Sequence, residues 1–189
     1  MNNEILELAK QVLNYSAIQN HEIPDIDLYM DQVTSFMDNK LKAFKRTEGD
    51  IVLTKTMINN YTKNKLLTPP VKKKYSKDNL IMLIFIYHLK QTLSIGDIGD
   101  LLSFMLNTDD NMDIEKLYDK FLRLQKSSSD SFIKDLKEKL NFIDEPKNNT
   151  ENEKLFLLAI DLILSANMQK RMAEKLIDSY FKNIDHKKK

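Results

Sequence analysis

Apolar residues recur along most of this chain at helical spacing. Ile5, Leu6, Leu8, Ala9, Val12 and Leu13 share one broad face, so the spacing predicts an amphipathic helix over 3–16. Pro24 breaks the pattern. A second helix is expected after Asp25 or Asp27, either of which can cap it, with Leu28, Val33, Phe36, Met37, Leu41 and Phe44 turned inward. A third helix is expected from Leu53 to about Asn64, capped by Thr54. Met57, Ile58 and Tyr61 lie on its inner arc. Its outer arc carries Lys55, Asn59 and Lys63, flanked by Thr56, Asn60 and Thr62.

Thr68-Pro69-Pro70 cannot continue that helix, because proline lacks an N–H and drives its predecessor to extended geometry. Val71-Lys72-Lys73-Lys74-Tyr75 then reads as a short extended or hairpin segment with lysines at its tip. Ser76 is placed to cap the next helix, which is apolar nearly all round from Leu80 to Leu89 and is expected to be the central buried one. A buried strand is the alternative for that run. Ser94 to Asp97 opens a further helix, in which Gly96 and Gly99 either weaken it or admit a close neighbour. Beyond a polar linker at 107–112, the stretch from Asp113 to Ile143 reads as two helices broken or kinked near Ser127–Ser129, with Asp130 or Ser131 capping the second. After another polar stretch at 144–152, a long helix is expected from Glu153 to about Phe181, closed by a basic tail. With only three glycines and four prolines among 189 residues, long helices are favoured over many short strands.

Charge changes this picture locally. The whole chain has a formal charge of +1, yet Ile51–Lys77 holds seven lysines and no acid, so the remainder sums to −6. A merely solvated helix face usually mixes both signs. The acid-free outer arc of the third helix therefore points to a polyanion. Asparagine can pair bidentately with adenine, and lysine serves as a phosphate charge. Asn59, central on the arc, is the leading candidate base reader. Tyr75 is read first as a packing residue joining hairpin and core, with a base contact as the alternative.

Other chemistry is sparse. There is no cysteine, which removes disulfides, thiolate nucleophiles and cysteine-ligated zinc. His21, His88 and His186 stand apart, and no metalloprotease, serine-hydrolase, phosphate-loop or dinucleotide motif occurs. Asp109, Asn111 and Asp113 echo a calcium loop, but Ile114 and Lys120 occupy the positions that need glycine and glutamate. Asp161 is expected to be a helix–helix partner or an oligomer contact. We therefore expect a protein that is not an enzyme and needs no metal or cofactor. Met1–Lys10 lacks the basic start and apolar core of a signal peptide, and the apolar runs fall short of a membrane span, so a cytoplasmic protein without a membrane partner is expected.

The order of elements resembles the DNA-binding domain of the MerR family. Tyr61, Leu66-Leu67, Pro69-Pro70, Lys73-Lys74-Tyr75-Ser76 and Leu93-Ser94-Ile95…Ile98…Leu101-Leu102 fall in register with that family's pattern. Lys65 stands where the pattern has glycine, the hairpin lacks its usual glycine, and Asn59 and Asn60 replace an arginine and a tyrosine. Over about residues 24 to 106 the chain is also similar to uncharacterised Firmicutes proteins that carry a domain of unknown function and are described as MerR-like. The resemblance implies a mainly α protein. Its parts would be an N-terminal helix at 1–24, a MerR-like winged helix-turn-helix domain at 25–106, and a C-terminal helical domain at 113–189 for dimerisation or for binding a ligand or partner. It further implies a sequence-specific regulator of transcription, a repressor, bound as a homodimer to double-stranded DNA. Lys55, Thr56, Asn59, Asn60 and Lys63 would lie in the major groove, and Lys72, Lys73, Lys74 and Tyr75 would form the wing. An unknown effector at the C-terminal helices stays open. The alternative is a helical adaptor whose basic face binds an acidic protein.

Overall fold

The computed structural model describes residues 1–13, 17–106, 112–144 and 149–182. Asp109, Asn111 and His186, the tail, and the stretches 107–111 and 145–148 of the two expected linkers lie outside the described residues. Among the described residues the chain is mainly helical, with seven α-helices and one two-stranded sheet: α1 (Asn2–Leu13), β1 (Leu28–Tyr29), α2 (Met30–Leu41), α3 (Lys55–Lys63), β2 (Lys74–Tyr75), α4 (Lys77–Leu89), α5 (Ile95–Leu106), α6 (Ile114–Asp144) and α7 (Glu151–Tyr180). Short 3-10 turns cover Asn20–Glu22 and Lys42–Phe44. Among the same residues, no helix is long and apolar enough to cross a membrane.

The compact units do not follow chain order. One combines Met1–Ala17 with Lys120–Met172, and the other combines Ile18–Asp119 with Ala173–Lys189. The first unit is built on Leu136, Leu140 and Ile143 of α6, with Ala9 of α1 and Leu158 of α7 against them. Lys139 of α6 pairs with Asp161 of α7 and donates to Ser165 at 3.0 Å, so Asp161 is a helix–helix partner. The Thr150 N–H and hydroxyl donate to the Glu153 carboxylate at 2.7 and 2.8 Å, which sets the start of α7.

The second unit is organised around α4. Every residue from Asn79 to Tyr87 is buried, so the apolar run is a helix and not a strand. Ser76 caps it, its hydroxyl accepting from the Asn79 N–H at 3.4 Å. Phe85 meets Tyr118 edge-on at 5.8 Å, and the Tyr118 hydroxyl donates to the Ile18 carbonyl at 2.7 Å. A Cβ on Gly99 would come within 3.3 Å of the Leu66 side chain, so that glycine marks a close approach of α5 to the end of α3.

Two expectations are corrected. Neither Asp25 nor Asp27 caps α2. Leu28 and Tyr29 are drawn into a strand, and α2 starts only at Met30, with the Tyr29 N–H donating to the Gln32 side chain at 2.9 Å. Asp25 instead pairs with Lys77 at 2.8 Å. Secondly, α6 runs unbroken through Ser127–Ser129. Ser129 returns its hydroxyl to the Gln125 carbonyl at 3.0 Å, and the packing of Leu136, Leu140 and Ile143 outweighs the weak local preference of the serines.

Candidate nucleic-acid interface

Helix α3 is held from both ends and from below. The Thr54 hydroxyl accepts from the Met57 N–H at 3.1 Å. Ile58 and Tyr61 are buried, and burial pushes the Tyr61 phenol above its ordinary pKa. At the C-terminus the Leu66 N–H reaches the Tyr61 carbonyl at 2.9 Å and the Lys65 N–H reaches the Thr62 carbonyl at 3.0 Å. This is a Schellman closure, and it requires a left-handed residue, here Lys65 with φ 59°. Leu66 and Leu67 then drop into the core.

That anchoring leaves Lys55, Thr56, Asn59, Asn60 and Lys63 exposed on the opposite face. Lys55 is drawn sideways into an ion pair with Asp31 at the start of α2. The remaining four present hydroxyl, two amides and one ammonium.

The hairpin closes on itself. Val71 and Lys74 exchange both backbone hydrogen bonds, at 3.0 and 2.9 Å, around Lys72 and Lys73. Both central residues have positive φ, 50° and 67°, which fits a two-residue type I′ turn. Among the described residues, lysine stands at all three non-glycine places with left-handed backbone, which favours glycine or asparagine. β2 then pairs antiparallel with β1, Leu28 opposite Tyr75 and Tyr29 opposite Lys74. The Lys74 ammonium sits over the Tyr29 ring at 5.1 Å.

Tyr75 turns the other way. It is 2% exposed, and burial raises its phenol pKa. Its side chain packs under the hairpin, so it leaves the set of outward groups. Lys72 and Lys73 remain fully outward, and Lys74 partly so.

Sequence reasoning missed the residue that clamps the hairpin's ends. Asn79 is buried at the third position of α4. Its side-chain oxygen accepts from the Ser76 N–H at 3.0 Å, and its amide donates to the Thr68 hydroxyl at 2.6 Å. One side chain therefore joins the segment leaving α3 to the helix following the hairpin. The signal was there, an S-x-x-N spacing at a cap, but it also fits an ordinary helix start. Lys77 adds a second brace. It bridges Asp25 and Glu115, each at 2.8 Å, and its hydrogen bonds to Asp25 and Glu115 raise its pKa. Before α3, the Lys90 ammonium donates to the Val52 carbonyl at 2.9 Å; burial lowers its pKa.

Among the described residues no group of three or more His, Asp or Glu side chains is arranged to hold a metal ion. The fold and surface define a mainly helical protein that carries a polar helix face with no acid of its own, bordered by Asp31 on Lys55, and a lysine-tipped hairpin braced on a buried helix. A family model described as a domain of unknown function (DUF1836) matches residues 5–121, and the chain belongs to that family. No curated protein matches it, and neither does any solved structure.

Proposed function

We propose that this protein is a sequence-specific DNA-binding regulator of transcription, a repressor that acts by occupying an operator as a homodimer. In this reading residues 25–106 are a MerR-like winged helix-turn-helix. The outward residues of α3 enter the major groove, and the hairpin lies on phosphates. Thr56, Asn59, Asn60 and Lys63 read or position, with Asn59 the adenine reader, while Lys55 is shared with Asp31. Lys72, Lys73 and Lys74 release counterions from the backbone.

The observation that carries the reading is the hairpin tip. Lys72 and Lys73 occupy left-handed backbone that asparagine and glycine adopt more readily. Two ammonium groups are kept at the most exposed point of the hairpin against the local conformational preference. Such backbone at a surface turn motivates a functional reading. The acid-free face of α3 supports the same polyanionic partner.

The test is selection from a random-sequence duplex pool with the full chain, in the presence of nonspecific competitor. A recurring sequence is expected. Lys72→Asn/Lys73→Gly suits the turn better, so it should raise thermal stability while weakening binding on all sequences and lowering the salt slope by about 2. Asn59→Ala should lose about 1–3 kcal/mol, mostly at one adenine. Should the pool yield only sequence-blind retention that competitor removes, DNA reading is lost and the adaptor for an acidic protein takes its place.

A further inference from the structure

The outward side of α7 is apolar over several turns. Phe156 is 65% exposed, Leu164 55% and Met168 66%, with Leu157 and Ile160 between them. Phe142 of α6, 81% exposed, stands beside them across a groove of about 550 Å³ whose walls include Ile143, Leu157, Ile160 and Leu164. The side of α7 that carries Leu158 and Leu162 already faces the core of its own unit. The six exposed residues present on the order of 700 Å² per chain, near the ~800 Å² per partner of a stable interface and more than a monomer ordinarily leaves open.

Three pairs of positions along this side are symmetric about Leu162, while Leu157 is answered by Asn167. Glu153 and Arg171 lie about five turns apart and therefore on one line of the helix. Between them, Phe156 answers Met168 and Ile160 answers Leu164, each pair equidistant from Leu162. A second α7 laid antiparallel, about a twofold axis level with Leu162, would set every member of a pair against its mate. Phenyl rings would meet methionine thioethers, Ile160 would meet the partner's Leu164, and both ends would close with Glu153 against the partner's Arg171. In a parallel arrangement Glu153 would face Glu153.

We propose that this side of α7, extended by Phe142 of α6, seats a second copy of the chain in that antiparallel register, giving a four-helix bundle from two α6–α7 pairs. It rests on the homodimer in the reading above and not on DNA binding.

The experiment is sedimentation equilibrium of the full chain at micromolar concentration, without DNA. Wild type should be a dimer. Glu153→Arg alone, and Arg171→Glu alone, each leave like charges facing at both ends and should weaken it at least about tenfold. The double variant Glu153→Arg/Arg171→Glu should return to within about threefold of wild type. Ile160→Asp should be monomeric with unchanged helical circular dichroism. A monomeric wild type overturns the homodimer and hands this side to another protein or to an apolar ligand. A dimer that ignores Ile160→Asp, or that the charge swap fails to restore, overturns this surface and register while the homodimer stands. Loss of the DNA reading would show only in the duplex selection.

Discussion

Helices α4 and α7 contain the two most apolar runs of the chain, Leu80–Leu89 and Leu155–Ser165, yet they meet opposite fates. In α4 every residue from Leu80 to Tyr87 is buried. In α7 the run has one buried residue, Leu158, while Phe156, Leu157, Ile163 and Leu164 stand exposed. Hydrophobicity alone does not place a helix. α4 is enclosed because α2, α3, the hairpin, α5 and the start of α6 share its unit and supply a neighbour on each side. The α7 run shares its unit only with α1 and most of α6, which cover one side. The difference leaves one side of the α7 run open, where a second copy is proposed to sit, while the lysine hairpin is braced on the enclosed α4.

Truncation should separate the two helices most sharply. Ile84→Ala removes a fully packed side chain and should destabilise the chain by about 2–5 kcal/mol in urea unfolding. Ile160→Ala, measured at a dilution where the chain is monomeric, should stay below about 1 kcal/mol. Equal losses would mean that the outward side of α7 is covered within one chain.

A second difference sits at the end of α4. His88 meets Phe44 edge-on at 5.1 Å, and burial lowers its pKa to about 4. The unfolded histidine titrates near 6.5, so the fold favours the neutral ring. That stability is fully present above about pH 6.5 and is lost as pH falls toward 4, by about 2–3 kcal/mol. His88→Phe should keep the ring contacts and remove this part of the acid sensitivity. If urea midpoints at pH 7.5 and 4.5 differ as much in the variant as in wild type, burial of His88 is not the cause.

The smallest change is expected at the polar contact between α6 and α7. Lys139→Met breaks the partly exposed pair with Asp161 and should cost at most about 1 kcal/mol, since Leu158 and Leu162 hold the helices together. A loss as large as that of Ile84→Ala would show that the polar cluster, and not the apolar side, positions α7.

Much of the local structure was legible in the chain. Thr54 and Ser76 were readable as caps because a hydroxyl before an apolar-periodic stretch has one efficient use, and both accept the expected N–H. The outer arc of α3 followed from spacing, since a 3.6-residue period assigns faces without knowledge of neighbours. Strand β1 was not legible. Two residues carry no period, and Leu28–Tyr29 becomes a strand only because Tyr75 and Lys74 arrive beside it. The serines at 127–129 misled for the opposite reason: their local preference is weak, and distant packing overrode it.

The candidate site divides along the same line. Lys72, Lys73 and the four outward groups of α3 were found from charge and period. That Tyr75 packs inward, that Lys55 is shared with Asp31, and that Asn79 ties Thr68 to Ser76 depends on chain segments far apart in sequence.

By itself, then, the sequence determined where α3 and α4 begin, which helix faces are polar, and where positive charge concentrates. These follow from local periodicity, caps and prolines, whose energetics act over a few residues. Only the tertiary structure decided which of the two apolar runs is enclosed and which lysines bend into left-handed backbone. Burial is a sum over neighbours, and neighbours are assigned by the fold.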